Sequence, residues 1–164
     1  MADRGFLQEI GLHIPGFKGY FRKELRREAD KSQRDFLSGE LRRLKGRVEG
    51  VKRDLATAGQ LSALTRLESL TDKLSTIISK VSSADYGYSG FFDGNQVDEA
   101  KLDALYQVDL ALIEESKTLE ASMGSLSSGL TESELLATVK AVEDKVVYFG
   151  TQFDKRKQIL KGER

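Results

Sequence analysis

The stretch Leu37-Ser-Gly-Glu-Leu-Arg-Arg-Leu-Lys-Gly-Arg-Val-Glu-Gly-Val-Lys-Arg-Asp-Leu55 decides the fold. Leu37, Leu41, Leu44, Val48, Val51 and Leu55 follow one another at alternating steps of four and three, with charged residues filling most positions between. That is a heptad seam, the mark of a helix that buries one edge against other helices. A second stripe, Gly39, Arg43, Gly46, Gly50 and Arg53, lies on a different face of the same helix. Glycine inside a helix costs about 1 kcal/mol against alanine. Three of them fit either tolerated surface positions or close approach by a second copy or another helix.

Working outward, the helix is expected over 19–58. Its upstream apolar face thins to Tyr20, Phe21, Leu25, Ala29 and Phe36. The seam breaks at Gly59, where a glycine in the left-handed conformation would end the helix; one continuous helix with a stutter is the alternative. A second helix is read over 60–83, a third over 97–123 with Asn95 or Asp98 as cap, and a fourth over 131–161. The fourth opens on a Thr131–Glu134 capping box, with Leu130 and Leu135 placed as a hydrophobic staple. Its seam runs through Leu135, Val139, Val142, Val146, Phe149 and Phe153. Residues 1–18 read as an irregular hook, with a short helical turn around Phe6–Ile10 stopped by Pro15-Gly16. The expectation is an all-α antiparallel four-helix bundle, coiled-coil-like in its seams, forming one domain over 1–164. The first helix would be roughly 55–60 Å long at about 1.5 Å per residue.

Composition excludes much chemistry. The 164 residues contain no cysteine, no tryptophan, one proline and one histidine, His13. Thiol catalysis and cysteine-ligated metal sites are therefore excluded. A di-iron bundle needs Glu-x-x-His on two helices, which one histidine cannot supply. The Asp93–Glu99 run lacks the glycine and glutamate that a calcium loop needs at its sixth and twelfth positions. Phosphate-loop and nucleophile-elbow patterns are absent. No enzyme activity and no cofactor are expected. Asp3 and Glu9 interrupt any secretory pattern at the N-terminus, and Ala2 does not fit myristoylation. The expected location is the cytoplasm.

The zero net charge conceals an asymmetry. Residues 18–56 carry 13 basic and 7 acidic side chains, 85–150 carry 4 and 13, and 151–164 carry 5 and 2. The basic first helix beside the acidic third would pair its charges within the chain. At one pole, however, the antiparallel fourth helix would bring Lys155, Arg156 and Lys157 near Arg22, Lys23, Arg26 and Arg27. Such a basic pole is a candidate partner- or anion-binding site. Phe17, Tyr20 and Phe21 interleave with those cations, a composition suited to docking on a protein or an anionic membrane. Zero net charge argues against nucleic acid as the partner. Tyr86, Tyr88, Phe91 and Phe92 crowd one loop. Buried, they close an end of the bundle; exposed, they form an aromatic docking loop.

The runs Ile14–Tyr20, Arg26–Lys31 and Tyr86–Phe92 resemble small helical proteins of bacteria that carry no assigned activity. The resemblance implies a bacterial cytosolic origin and no site. The functional expectation is a non-catalytic helical interaction or scaffold protein, self-associating, docking through the basic pole. A peripheral membrane protein using the same aromatic and basic segment is the alternative.

Overall fold

The computed structural model describes residues 2–84, 89–94 and 97–162. They form α1 (Ala2–Gly11), a 3-10 turn (Lys23–Leu25), α2 (Arg26–Thr57), α3 (Leu64–Ser82), α4 (Ser89–Asp93), α5 (Glu99–Met123) and α6 (Glu132–Lys161). No strand occurs among them. The four long helices alternate in direction along the chain. α2 packs on α3 and α5, and α6 packs on α5 and α3. The two antiparallel hairpins thus lie side by side, so α2 runs parallel to α5 and α3 parallel to α6.

The seam residues do what their spacing requires. Leu37, Leu41, Leu44, Val48 and Leu55 of α2 are buried against Leu67, Leu70 and Leu74 of α3 and the Leu135–Phe153 stripe of α6 in one core. Gly59 ends α2. Its φ of +73° lets the Gln60 amide reach the Leu55 carbonyl at 2.9 Å and its own amide reach Ala56 at 3.1 Å. Those two bonds satisfy carbonyls that the helix leaves free, so α2 and α3 are separate helices. At the head of α6 the Thr131–Glu134 capping box is complete, and Leu135 is buried behind it. Asp98 caps α5 by accepting from the Ala100 amide at 3.1 Å; the other candidate, Asn95, lies outside the described residues.

Three boundaries differ from expectation. In the N-terminal hook the short helical turn expected around Phe6–Ile10 extends to a ten-residue helix, α1, packed on α5. Phe6, Leu7 and Ile10 pack into the core, and that burial outweighs the helix cost of Gly5, whose side faces open space. The first long helix begins at Arg26, not at residue 19. Gly19 has a φ of +77°, and the Tyr20 amide and carbonyl are taken by Tyr106 and Arg26, so neither residue continues a helix. At 32 residues α2 is about 48 Å long, shorter than expected but still far longer than α3 at about 28 Å and close to α6 at about 45 Å. The second helix opens at Leu64, after the turn that follows Gly59.

Candidate functional site

The concentration of chemistry in this molecule is inside it. At the pole where α2 and α5 begin and α6 ends, Asp30 and Arg34 of α2, Asp109 of α5, Arg156 of α6 and Tyr20 of the preceding segment are all buried. The helical periods put them there. Stepping back along α2 from Leu37 by three and four reaches Arg34 and Asp30. Stepping on by three along α6 from Phe153 reaches Arg156. The charges of the seam are therefore concentrated at this one end; the rest is mainly apolar, with isolated buried polar side chains such as Thr71, Ser116 and Glu143.

Arg156 is the centre, with no exposed surface. Its Nε donates to Asp109 Oδ1 at 2.6 Å, and its Nη2 donates to the Tyr20 hydroxyl at 3.1 Å. Its Nη1 stands 2.8 Å from Asp30 Oδ1, a charge contact without hydrogen-bond alignment. The Tyr20 hydroxyl donates in turn to Asp109 Oδ2. Arg34 Nε donates to Asp30 Oδ2 at 2.8 Å and its Nη1 to the Ser82 carbonyl at 2.9 Å, joining α3 to the group. Gln33 Nε2 donates to the Asp109 carbonyl at 3.0 Å.

Two guanidiniums thus balance two carboxylates in a dry environment, where each charge needs its partners. Burial pushes the Asp109 carboxyl above its ordinary range, against the pull of the Arg156 charge and the hydrogen bonds from Arg156 and Tyr20. The Tyr20 phenol is raised well above its ordinary value by burial and then by the Asp109 charge. Burial acts to lower Arg156, but Asp109, Tyr20 and Asp30 together hold it well above its ordinary value. Tyr20 therefore keeps its proton and serves as donor and acceptor between two fixed charges.

Tyr20 also seals the network. Its amide donates to the Tyr106 hydroxyl at 2.7 Å, and its carbonyl accepts from Arg26 Nε at 2.9 Å. Its ring packs against Phe17, Phe91 and Tyr106 at centroid distances of 5.6, 6.1 and 5.3 Å. Gly19 permits this closeness, since a Cβ there would stand 2.6 Å from the Tyr106 hydroxyl.

The expected basic pole is assembled but only partly outward-facing. The C-terminal part of α6 does meet the head of α2, as the Arg156–Asp30 contact shows. Arg26 and Arg156, however, turn inward and do not belong to an anion-binding surface. Arg26 Nη1 donates to the carbonyls of Phe91 at 3.3 Å and Gly94 at 3.0 Å, and its guanidinium lies 5.6 Å from the Phe91 ring. Arg22 pairs with Glu24 at 2.6 Å, and Arg27 pairs with Asp93 at 3.0 Å while stacking over Phe92 at 5.1 Å. Lys23, Lys155 and Lys157 are exposed. Phe91 and Phe92 are buried, so this half of the aromatic loop closes the bundle end instead of offering a docking surface. Tyr86 and Tyr88 lie outside the described residues.

Sequence reasoning did not single out Asp30, Arg34 or Asp109. The signal that identifies them is their place on the seam period. Among the described residues no cluster of three histidine or carboxylate side chains is set to hold a metal ion. His13 Nε2 lies 3.2 Å from Lys117 Nζ. Among the described residues no helix is long and apolar enough to cross a membrane.

Fold and site together define an all-α bundle with a sealed ionic pole. No protein-family model, curated protein or solved structure matches the chain.

Proposed function

We propose that this is a non-catalytic helical interaction protein that docks through the surface of its N-terminal pole. The observation that carries the reading is Phe21, a large aromatic side chain left 64% exposed in the segment that leads into α2. Arg22 and Lys23 follow it directly, and the exposed Lys155 and Lys157 flank the buried Arg156 at the same end. An exposed aromatic among cations is the composition of an interface anchor. The buried charges support the non-catalytic half of the reading: they are engaged with one another behind Tyr20, where a substrate does not reach them.

The test replaces Phe21 with a photo-crosslinking aromatic residue, with the same replacement at the exposed Arg66 as control, followed by irradiation in the producing cell. A discrete protein adduct at position 21 and none at 66 is expected. A lipid adduct at 21 would move the reading to a peripheral membrane protein. No adduct at 21 contradicts docking at this pole.

A further inference from the structure

On the α2/α5 face, the upper half, towards the ionic pole, carries α1 on α5 and the segment after it on the head of α2, and hollows open along the seam in the lower half. α1 lies along α5, where Phe6 stacks on Tyr106 at 6.2 Å and His13 reaches Lys117. The segment after α1 closes against the head of α2 through a Lys18–Glu28 pair at 3.1 Å. One turn below Lys117, Glu120 of α5 and Glu40, Arg43, Leu44 and Arg47 of α2 line a hollow on the seam. The hollow continues downward between Arg47, Gly50, Val51 and Asp54 on one side and Met123, Gly124 and Leu126 on the other.

The α2 rim carries both signs, with Glu40 above and Asp54 below its arginines, but where Arg47 and Glu120 meet one hollow the two rims differ in sign. On the α2 rim, Arg43 is bonded to Glu40, whereas Arg47 and Arg53 form no ion pair among the described residues; the Arg53 guanidinium lies over Gly50, 3.9 Å from where a Cβ would stand. On the α5 rim, Glu120 borders the same hollow as Arg47 and attracts the Arg43 charge of its own chain. Leu12, at the lower end of α1, is left 75% exposed at the border between the covered and open halves. Cβ atoms at Gly39 and Gly46 would meet nothing within 4 Å, so a partner's side chains can come close to the α2 backbone.

We propose that two copies of this chain associate across the lower α2/α5 seam, about a two-fold axis parallel to the helices. Such an axis sets α2 of one copy opposite α5 of the other at equal height. Arg47 of each copy then faces Glu120 of the other, and the interface is self-complementary. An axis perpendicular to the helices would instead oppose α2 to α2 and bring like charges together. The parallel arrangement also places each Leu12 towards the glycine-bearing stretch of the opposite α2. The proposal rests on the interaction reading above and names the partner as a second copy at a different surface.

Sedimentation equilibrium of the whole chain tests it, with helicity followed by circular dichroism. Arg47 and Glu120 lie on the rims and not in the core, so both charge reversals leave the fold intact. The wild type is expected to dimerise, and Arg47→Glu or Glu120→Arg alone to weaken association at least about tenfold through repulsion. An equimolar mixture of the two variants should regain the dimer, because both cross-pairs in the mixed species are complementary. A wild type that stays monomeric at every concentration overturns the proposal without touching the pole, whose test is the crosslink at position 21. A dimer indifferent to both reversals, or variants whose mixture stays monomeric, overturns this interface.

Discussion

Arg156 stands 47 residues beyond Asp109 in the chain, yet its Nε meets the Asp109 carboxylate at 2.6 Å, with both side chains sealed from solvent. The contact joins α6 to α5, and the Asp30 carboxylate on the other side of the guanidinium adds α2. Three helices are thereby set in register at one end. A heptad seam alone leaves slippage by one repeat as a competing arrangement, and a buried polar contact removes it.

Tyr20 is the part of this network that belongs to the N-terminal segment, so its hydroxyl decides how firmly that segment is held. Tyr20→Phe keeps the ring and leaves Asp109 Oδ2 and Arg156 Nη2 without a partner. A loss of about 1–3 kcal/mol is expected from chemical denaturation. Amide exchange should accelerate chiefly in α1 and the segment after it, whereas a uniform increase along α2–α6 would contradict the latch.

Gly59 and Gly5 should respond to alanine with opposite signs. Gly59 sits at a φ of +73° with nothing within 4 Å of an added Cβ, so the cost there is purely conformational. Gly59→Ala is expected to lower stability by about 1 kcal/mol. Gly5 is a helical position in α1 that also faces open space, and Gly5→Ala is expected to raise stability by up to about 1 kcal/mol. The two unfolding midpoints check the pair.

The cap of α6 carries a pH dependence of known sign. The Thr131 amide, and then the Thr131 hydroxyl, hold the Glu134 carboxyl below its ordinary range. A carboxyl lowered in the folded state contributes stability above its unfolded pKa and loses it as pH falls through the folded value. The gap in unfolding midpoint between wild type and Glu134→Ala should therefore be widest near neutral pH and close on acidification. Thr131→Ala, which removes the other half of the box, should cost about 1 kcal/mol at neutral pH.

The helices and their faces were largely legible, because spacing fixes which edge of a rod is buried. Leu37–Leu55 and Leu135–Phe153 needed nothing else, and Thr131–Glu134 and Gly59 carry their own local chemistry. Proximity at the pole was legible too, since antiparallel helices bring Arg156 to the head of α2. The direction of Arg26 and Arg156 was not. Both were read as surface cations because composition counts charges without asking which fall on the buried period. Of α1 only the turn at Phe6–Ile10 was legible, because Gly5 and Gly11 weaken its local signal, while the surface that stabilises it lies on α5, about a hundred residues away in sequence. Phe91 and Phe92 left burial and exposure open, since aromatics between glycines fit either.

The claim that these charges serve the fold and not a reaction is tested most directly by unfolding free energies of two variants. Arg156→Met strands buried carboxylates and should cost about 3–5 kcal/mol. Tyr20→Phe/Asp109→Leu/Arg156→Met replaces the central group with apolar side chains and leaves Asp30 with Arg34. Its expected stability is close to wild type, with helicity unchanged. A triple variant as unstable as Arg156→Met alone would contradict the structural role assigned to the sealed pole.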